Sequence, residues 1–319
     1  MDALLTLWLG TPVWMWLVFL ALVTALLVLD LGVLNRGDEE IGVAKSLKLS
    51  AFYVTMGLGF GGWVWWQAGQ QAAVEYVTGF VIEKSLAMDN VFVIAMIFGA
   101  LAIPRAFQHR VLFWGILGVI VLRAIMIGFG AVLVSEFGWV LYLFAAFLIF
   151  TGIQMWRTAD QHFDVENSRA LAFIRRHLPV TDRLHGHSFI VREGGKLWAT
   201  PLLVALLMVE FADVVFAVDS VPAIFAITTD PFIVYTSNIF AILGLRALYF
   251  ALAAVIDRFA YLKYALAVLL VFIGSKIFVA DMLGLAKFPP AASLGVTFAI
   301  LVAGVCWSLW KTRKVPAAA

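Results

Sequence analysis

The chain has 319 residues, 64% of them hydrophobic and 13% charged, with a formal net charge of +2. Soluble domains carry about 25% charged residues, so the composition argues against a soluble enzyme, and its apolar content excludes disorder. The small net charge argues against a nucleic-acid partner, and a single cysteine, Cys306, excludes a disulfide framework or a Cys-rich metal site.

Apolar runs of transmembrane length follow one another along the chain. The segment Met1–Gly10 holds no Lys or Arg, so the first run reads as a retained span and not as a secretory signal. Nine spans are expected, at 12–34, 46–67, 73–100, 109–134, 137–157, 199–226, 231–255, 260–283 and 291–310. Trp63, Trp65 and Trp66 near an outer span end fit an interfacial aromatic belt. The polar stretch 158–198 is too long for a tight turn and is expected to form a small cytoplasmic subdomain, with a short helix around Ser168–His177. It carries His177, Asp182, His185 and His187, a set that could sense metal but is more commonly a wet polar loop.

Basic residues set the orientation. With the N-terminus outside, 17 of the 22 Lys and Arg residues fall in inner loops, one (Lys287) falls in an outer loop, and Lys84, Arg123, Arg246 and Lys276 lie inside spans. The expected fold is therefore an all-α polytopic membrane protein with nine transmembrane helices, N-out and C-in.

Comparison of the chain with itself reveals a repeat. Glu83-Lys-Ser-Leu-Ala-Met-Asp89-Asn-Val in span three matches Asp213-Val-Val-Phe-Ala-Val-Asp219-Ser-Val in span six. Leu122-Arg123-Ala matches Leu245-Arg246-Ala, and Gly152-Ile-Gln154 matches Gly274-Ser-Lys276. Each copy holds three spans, an odd number, so spans 3–5 and 6–8 are expected to form a 3+3 inverted repeat with a polar site at its interface. The organisation is then two N-terminal spans (1–72), repeat one (73–157), the cytoplasmic loop (158–198), repeat two (199–283), and a last span with a basic tail (284–319).

Five carboxylates lie well inside spans, away from their ends: Glu83, Asp89, Glu210, Asp213 and Asp219. Each costs about 2.5–3.5 kcal/mol there even on a lenient scale, so they must face the protein interior and be paired, hydrated or ligated. Ion pairs with Lys84, Arg123, Arg246 and Lys276 would balance some of them and leave one negative charge over. Six residues along a helix rise about 9 Å. Inverted symmetry then puts Glu83 and Asp219 on the outer side of the midplane and Asp89 and Asp213 on the inner side, with Glu210 further in. Pro222 is expected to break span six and free a carbonyl near Val218. Asn90 and Ser220 add neutral oxygens at matched positions. Such hard donors suit Mg2+, Ca2+ or Mn2+. A thioether from Met88 or Met208 would tilt the choice toward Mn2+, although Met in a span is more often packing. Asp30 could guard the inner entrance, where a solvated helix end is equally expected. Lys276 could neutralise an acid when the site is empty. No catalytic Ser/His/Asp set, phosphate loop or CxxC is present, so no enzyme activity and no tightly bound cofactor are expected.

At these residues the chain resembles the TerC membrane protein family, particularly its Alx-like branch. The segments carrying the resemblance are Glu83–Phe92, Val209–Ala226, Thr229-Asp-Pro-Phe-Ile-Val and Ser237-Asn-Ile-Phe-Ala-Ile-Leu-Gly-Leu-Arg. The resemblance covers nearly the whole chain. It implies a bacterial inner-membrane protein related to the LysE-type exporters, acting in Mn2+ efflux, with family acids at Glu83, Asp89, Glu210, Asp213 and Asp219. The expected function is a secondary transporter that exports Mn2+ in exchange for protons as the repeats rock. Two alternatives stand: a non-transporting membrane partner in the assembly or metallation of exported proteins, and a Ca2+/proton exchanger.

Overall fold

The computed structural model describes residues 2–29, 42–159, 165, 168–181, 183–252, 259, 261–285 and 288–312. Asp30, Asp182 and Lys287 lie outside the described residues. A short helix α1 (Asp2–Leu5) and a small hairpin of β1 (Leu7–Trp8) with β2 (Thr11–Pro12) lead into α2 (Val13–Leu29).

Helix α3 (Val43–Ala100) spans 58 residues, but Gly69, at φ 87° and ψ 178°, is not helical. The two arms fold back on each other there. A Cβ on Gly61 would lie 3.1 Å from the Tyr76 ring and one on Gly57 2.5 Å from the Phe80 ring, and the Tyr76 hydroxyl donates to the Gly57 carbonyl at 3.0 Å. The two expected spans thus meet in a hairpin turned on one glycine, because only small residues on the first arm admit the aromatic rings of the second. Trp65 and Trp66, near this turn, are 62% and 81% exposed, as an interfacial belt requires.

The chain continues through α4 (Arg105–Glu136) and α5 (Val140–Thr158) to the polar stretch. There α6 (Arg169–His177) starts at Ser168, whose hydroxyl accepts from the Leu171 N–H at 3.2 Å. Leu171 and Ile174 bury its apolar side while Phe173, Arg175 and Arg176 stay exposed. A hairpin that the sequence reading did not anticipate follows: β3 (Ile190–Glu193) pairs antiparallel with β4 (Lys196–Ala199). Its two-residue turn is Gly194-Gly195 with φ of 56° and 81°, the positive values that such turns demand.

Helix α7 (Pro201–Phe225) carries three of the five acids. The expected break at Pro222 is corrected: the helix runs through it to Phe225. Pro222 sits in the last turn, where its missing N–H leaves the Val218 carbonyl without its i+4 donor but does not interrupt the helix. The break occurs instead in the next segment. Helix α8 (Pro231–Ile242), capped by Asp230, whose carboxylate accepts from the Phe232 and Ile233 N–H groups at 2.8 and 3.3 Å, stops at Leu243. Gly244, at φ 82°, turns the chain into α9 (Leu245–Leu252). Then come α10 (Leu262–Met282) and α11 (Pro290–Lys311).

Among the described residues, six helical segments are long and apolar enough to cross a membrane: α4, α5, α7, α8 with α9, α10 and α11. Three buried apolar clusters hold the bundle together. One joins α2, α3 and α8, a second joins α4, α5, α7 and α10, and a third lies where α3, α4 and α7 meet α6. The acids lie between these clusters.

Candidate acidic site within the helix bundle

Arg123 of α4 is the centre of the polar interior. It is 1% exposed. Its Nη1 lies 2.9 Å from Glu83 Oε1 on α3, and its Nη2 and Nε donate to the Asp213 carboxylate on α7 at 3.3 and 3.4 Å. Nη1 also donates to the Ser220 hydroxyl. One planar guanidinium therefore joins three helices, and the fork geometry of Arg suits two carboxylates approaching from different sides. A charge 1% exposed persists only with such partners.

Beside Arg123 lies a small cavity of about 10 Å³, room for about one water. Glu83, Asp89, Asn90, Arg123, Asp219 and Ser220 line it, with Leu86, Met155, Phe216 and Leu270 as apolar walls. The matched acids Asp89 and Asp219 and the matched neutral pair Asn90 and Ser220 thus face one space. Asn90 Oδ1 is buried and has no hydrogen-bond partner among the described residues. An unpaired carbonyl oxygen in this setting is costly, and it points to a water or a cation as partner. Asp213 reaches the cavity only through Arg123.

Glu210 stands one turn before Asp213 and packs its carboxylate on Gly118 of α4, where a Cβ would collide with it. The four intramembrane bases behave differently from one another. Arg123 pairs with two acids. The Lys84 ammonium instead donates to the backbone carbonyls of Ala241 (3.0 Å) and Leu243 (3.5 Å), where α8 ends. Lys276 donates to the Ser293 hydroxyl at 3.1 Å. Arg246 is buried on α9. Met88 and Met208 pack in the apolar clusters.

Two neighbours of the acids escaped the sequence reading. Thr151, whose hydroxyl donates to the Leu148 carbonyl at 3.2 Å, lies beside Asp219, and Lys263, counted there as an inner-loop base, lies close enough to Asp89 to act on it electrostatically. Thr151 precedes the repeat-marking Gly152, which was the available signal. In the polar stretch His185 pairs with Glu193 at 3.3 Å, and His187 packs edge-on against Phe107. Among the described residues no three His, Cys, Asp or Glu side chains form a group able to hold a metal ion.

Comparison with known proteins places the chain. The family described as "Integral membrane protein TerC family" matches residues 68–315. The membrane protein STKORF319 of Myxococcus xanthus is 47% identical over 307 residues, covering 96% of this chain and 95% of that protein. Alx of Escherichia coli (strain K12), named as a candidate membrane-bound redox modulator, is 46% identical over 310 residues, covering 94% and 95%. A membrane protein of Rickettsia bellii is 47% identical over 300 residues, covering 94% and 98%. No solved structure matches. Apolar helices, a helical bundle and bacterial relatives together make this a multi-pass protein of the bacterial inner membrane. The chain belongs to the TerC family of integral membrane proteins.

Proposed function

We propose that the protein is a secondary transporter that exports Mn2+ from the cytoplasm in exchange for protons, with nine spans, the N-terminus outside, and an inverted repeat of spans 3–5 and 6–8. The observation that carries this reading is the cavity where Asp89, Asn90, Asp219 and Ser220 meet beside Glu83 and Arg123. Matched residues of the two repeat copies line it, which is where an inverted-repeat transporter builds its site. Four carboxylates, Glu83, Asp89, Asp213 and Asp219, gather around one guanidinium that pairs with Glu83 and Asp213 alone, so the group as ionised is short of positive charge. The donors on offer are carboxylates, an amide oxygen and a hydroxyl, which are hard ligands suited to a divalent cation.

In this reading Glu210 receives the metal from the cytoplasmic side. Asp89 and Asp219 draw together on it, with Asn90 Oδ1 as a neutral ligand. Arg123 holds Glu83 and Asp213 in place while the ion passes. Protons neutralise the carboxylates on the return step and keep the charge account closed. The Arg123 bridge also favours a structural part for Glu83 and Asp213, the feature a non-transporting assembly partner would share. Asp89 and Asp219 separate the two readings, because Arg123 does not pair with them. The name of Alx brings a redox role into view, but the single cysteine, Cys306, cannot form an intrachain dithiol.

The test is flux in everted membrane vesicles containing a manganese-sensing dye. Mn2+ entry that is accelerated by a proton gradient and persists in excess Ca2+ and Mg2+ is expected. Entry abolished by Ca2+ would replace Mn2+ by Ca2+ as the cargo.

A further inference from the structure

A chamber of about 470 Å³ opens beyond the C-terminal end of α7, and the proposed site does not use it. Thr78, Tyr142, Phe225, Ile277, Lys276 and Asp281 are among its walls. Phe225 follows Asp219 by six residues, about 9 Å along the helix, so the chamber lies on the far side of the acid cavity from Glu210. Between Asp219 of the cavity and the chamber, α7 carries two large side chains in its last turn, Ile224 and Phe225, and Phe225 lines the chamber itself. Ile224 seats on Gly79 of α3, where a Cβ would collide with it, and the Phe225 ring seats on Gly130 of α4, where a Cβ would come within 2.7 Å. Both glycines leave room for these side chains.

The charges in the chamber are ordered. Lys276 is 5% exposed and lies deep, held by Ser293, while Asp281 on the same helix is exposed at the mouth. A cation between them is pushed outward by the ammonium and drawn outward by the carboxylate. The matched position in the other repeat copy is neutral Gln154, so the two copies do not carry the same charge at this position.

We propose that the chamber is the outer release vestibule of the acid path, closed by Ile224 and Phe225, and that Lys276 keeps a divalent cation from accumulating in it, so that metal on the outer side inhibits transport less. This rests on the transporter reading and on the N-out orientation. The experiment has two arms. The Cys306→Ser variant removes the only cysteine, and Ile277→Cys then places one thiol beside Lys276. Labelling of that thiol by a membrane-impermeant maleimide from the periplasmic face is expected, and labelling only from the cytoplasmic face would overturn the vestibule. In the second arm Mn2+ is pre-loaded into the lumen of everted vesicles and its inhibition of further entry is followed. Lys276→Met is expected to be inhibited at about tenfold lower lumenal Mn2+ than wild type, and Lys276→Arg at the wild-type level. Equal inhibition of wild type and Lys276→Met would overturn the role of Lys276. Absence of Mn2+ movement in wild type would overturn the transporter reading and the role of Lys276 with it, while the labelling still decides whether the chamber opens outward.

Discussion

Gly152 of α5 and Gly274 of α10 make one contact twice, in opposite directions. A Cβ on Gly152 would lie 2.8 Å from the Ala267 carbonyl and 2.8 Å from Val271; one on Gly274 would lie 2.5 Å from the Ala145 carbonyl and 2.9 Å from Ile149. Ala267 and Val271 stand seven and three residues before Gly274, and Ala145 and Ile149 stand seven and three residues before Gly152. This reciprocity is what a two-fold relation between repeat copies produces, and it supports the inverted repeat. Alanine at either position drives a methyl group into partner backbone. Gly274→Ala is expected to lower stability by about 1–3 kcal/mol, and Gly152→Ala by somewhat less. Thermal unfolding in detergent checks both, and a wild-type melting temperature in both variants would contradict the contact.

Arg123→Met leaves Glu83 and Asp213 buried without their common cation. The expected loss is about 3–5 kcal/mol, large enough to reduce folded protein in the membrane. Glu83→Gln and Asp213→Asn each leave Arg123 one acid and are expected to cost less. Combining Arg123→Met with both neutral substitutions is expected to recover part of the loss, and comparing that triple variant with Arg123→Met and with the Glu83→Gln/Asp213→Asn pair by thermal unfolding measures how much.

Gly69 and Gly244 both sit at positive φ, 87° and 82°. A side chain at Gly69 meets nothing within 4 Å, whereas one at Gly244 would lie 2.7 Å from Tyr53. Alanine at Gly69 is expected to cost about 1–3 kcal/mol from backbone strain alone, and at Gly244 clearly more. Equal melting temperatures for the two variants would mean that the α8–α9 turn is not locked by Tyr53.

Lys84→Met removes the donor that serves the Ala241 and Leu243 carbonyls where α8 ends. An unserved buried carbonyl costs about 1–3 kcal/mol, and Lys84→Arg is expected to retain most of the stability. If Lys84 instead served to neutralise an acid, Lys84→Met would be rescued by Asp219→Asn. No such rescue is expected.

Much of this architecture was legible in the sequence because apolar length and acid spacing are one-dimensional signals. The helices, including the short one near Ser168, belong to that class; the grouping of the acids does not, because spacing set Glu83 with Asp219 and Asp89 with Asp213, whereas Arg123 joins Glu83 to Asp213 and Asp89 shares its cavity with Asp219. What was not legible depends on which side chain reaches which helix. Four bases balanced five acids on paper, but only the pairing in space assigns Arg123 to Glu83 and Asp213 and sends Lys84 to carbonyls. The break was placed at Pro222 because proline is the louder signal. It falls at Gly244, where Tyr53 excludes any side chain, because Pro222 lies too close to the end of α7 to interrupt it.

The most direct test of the transport reading compares Mn2+ entry into everted vesicles bearing wild type, Asp89→Asn and Asp219→Asn at equal protein level. Both residues line the cavity and neither is held by Arg123, so the variants are expected to fold and to lose entry by about tenfold or more. Entry in both variants equal to wild type, or no entry in any of the three, would contradict transport through this cavity.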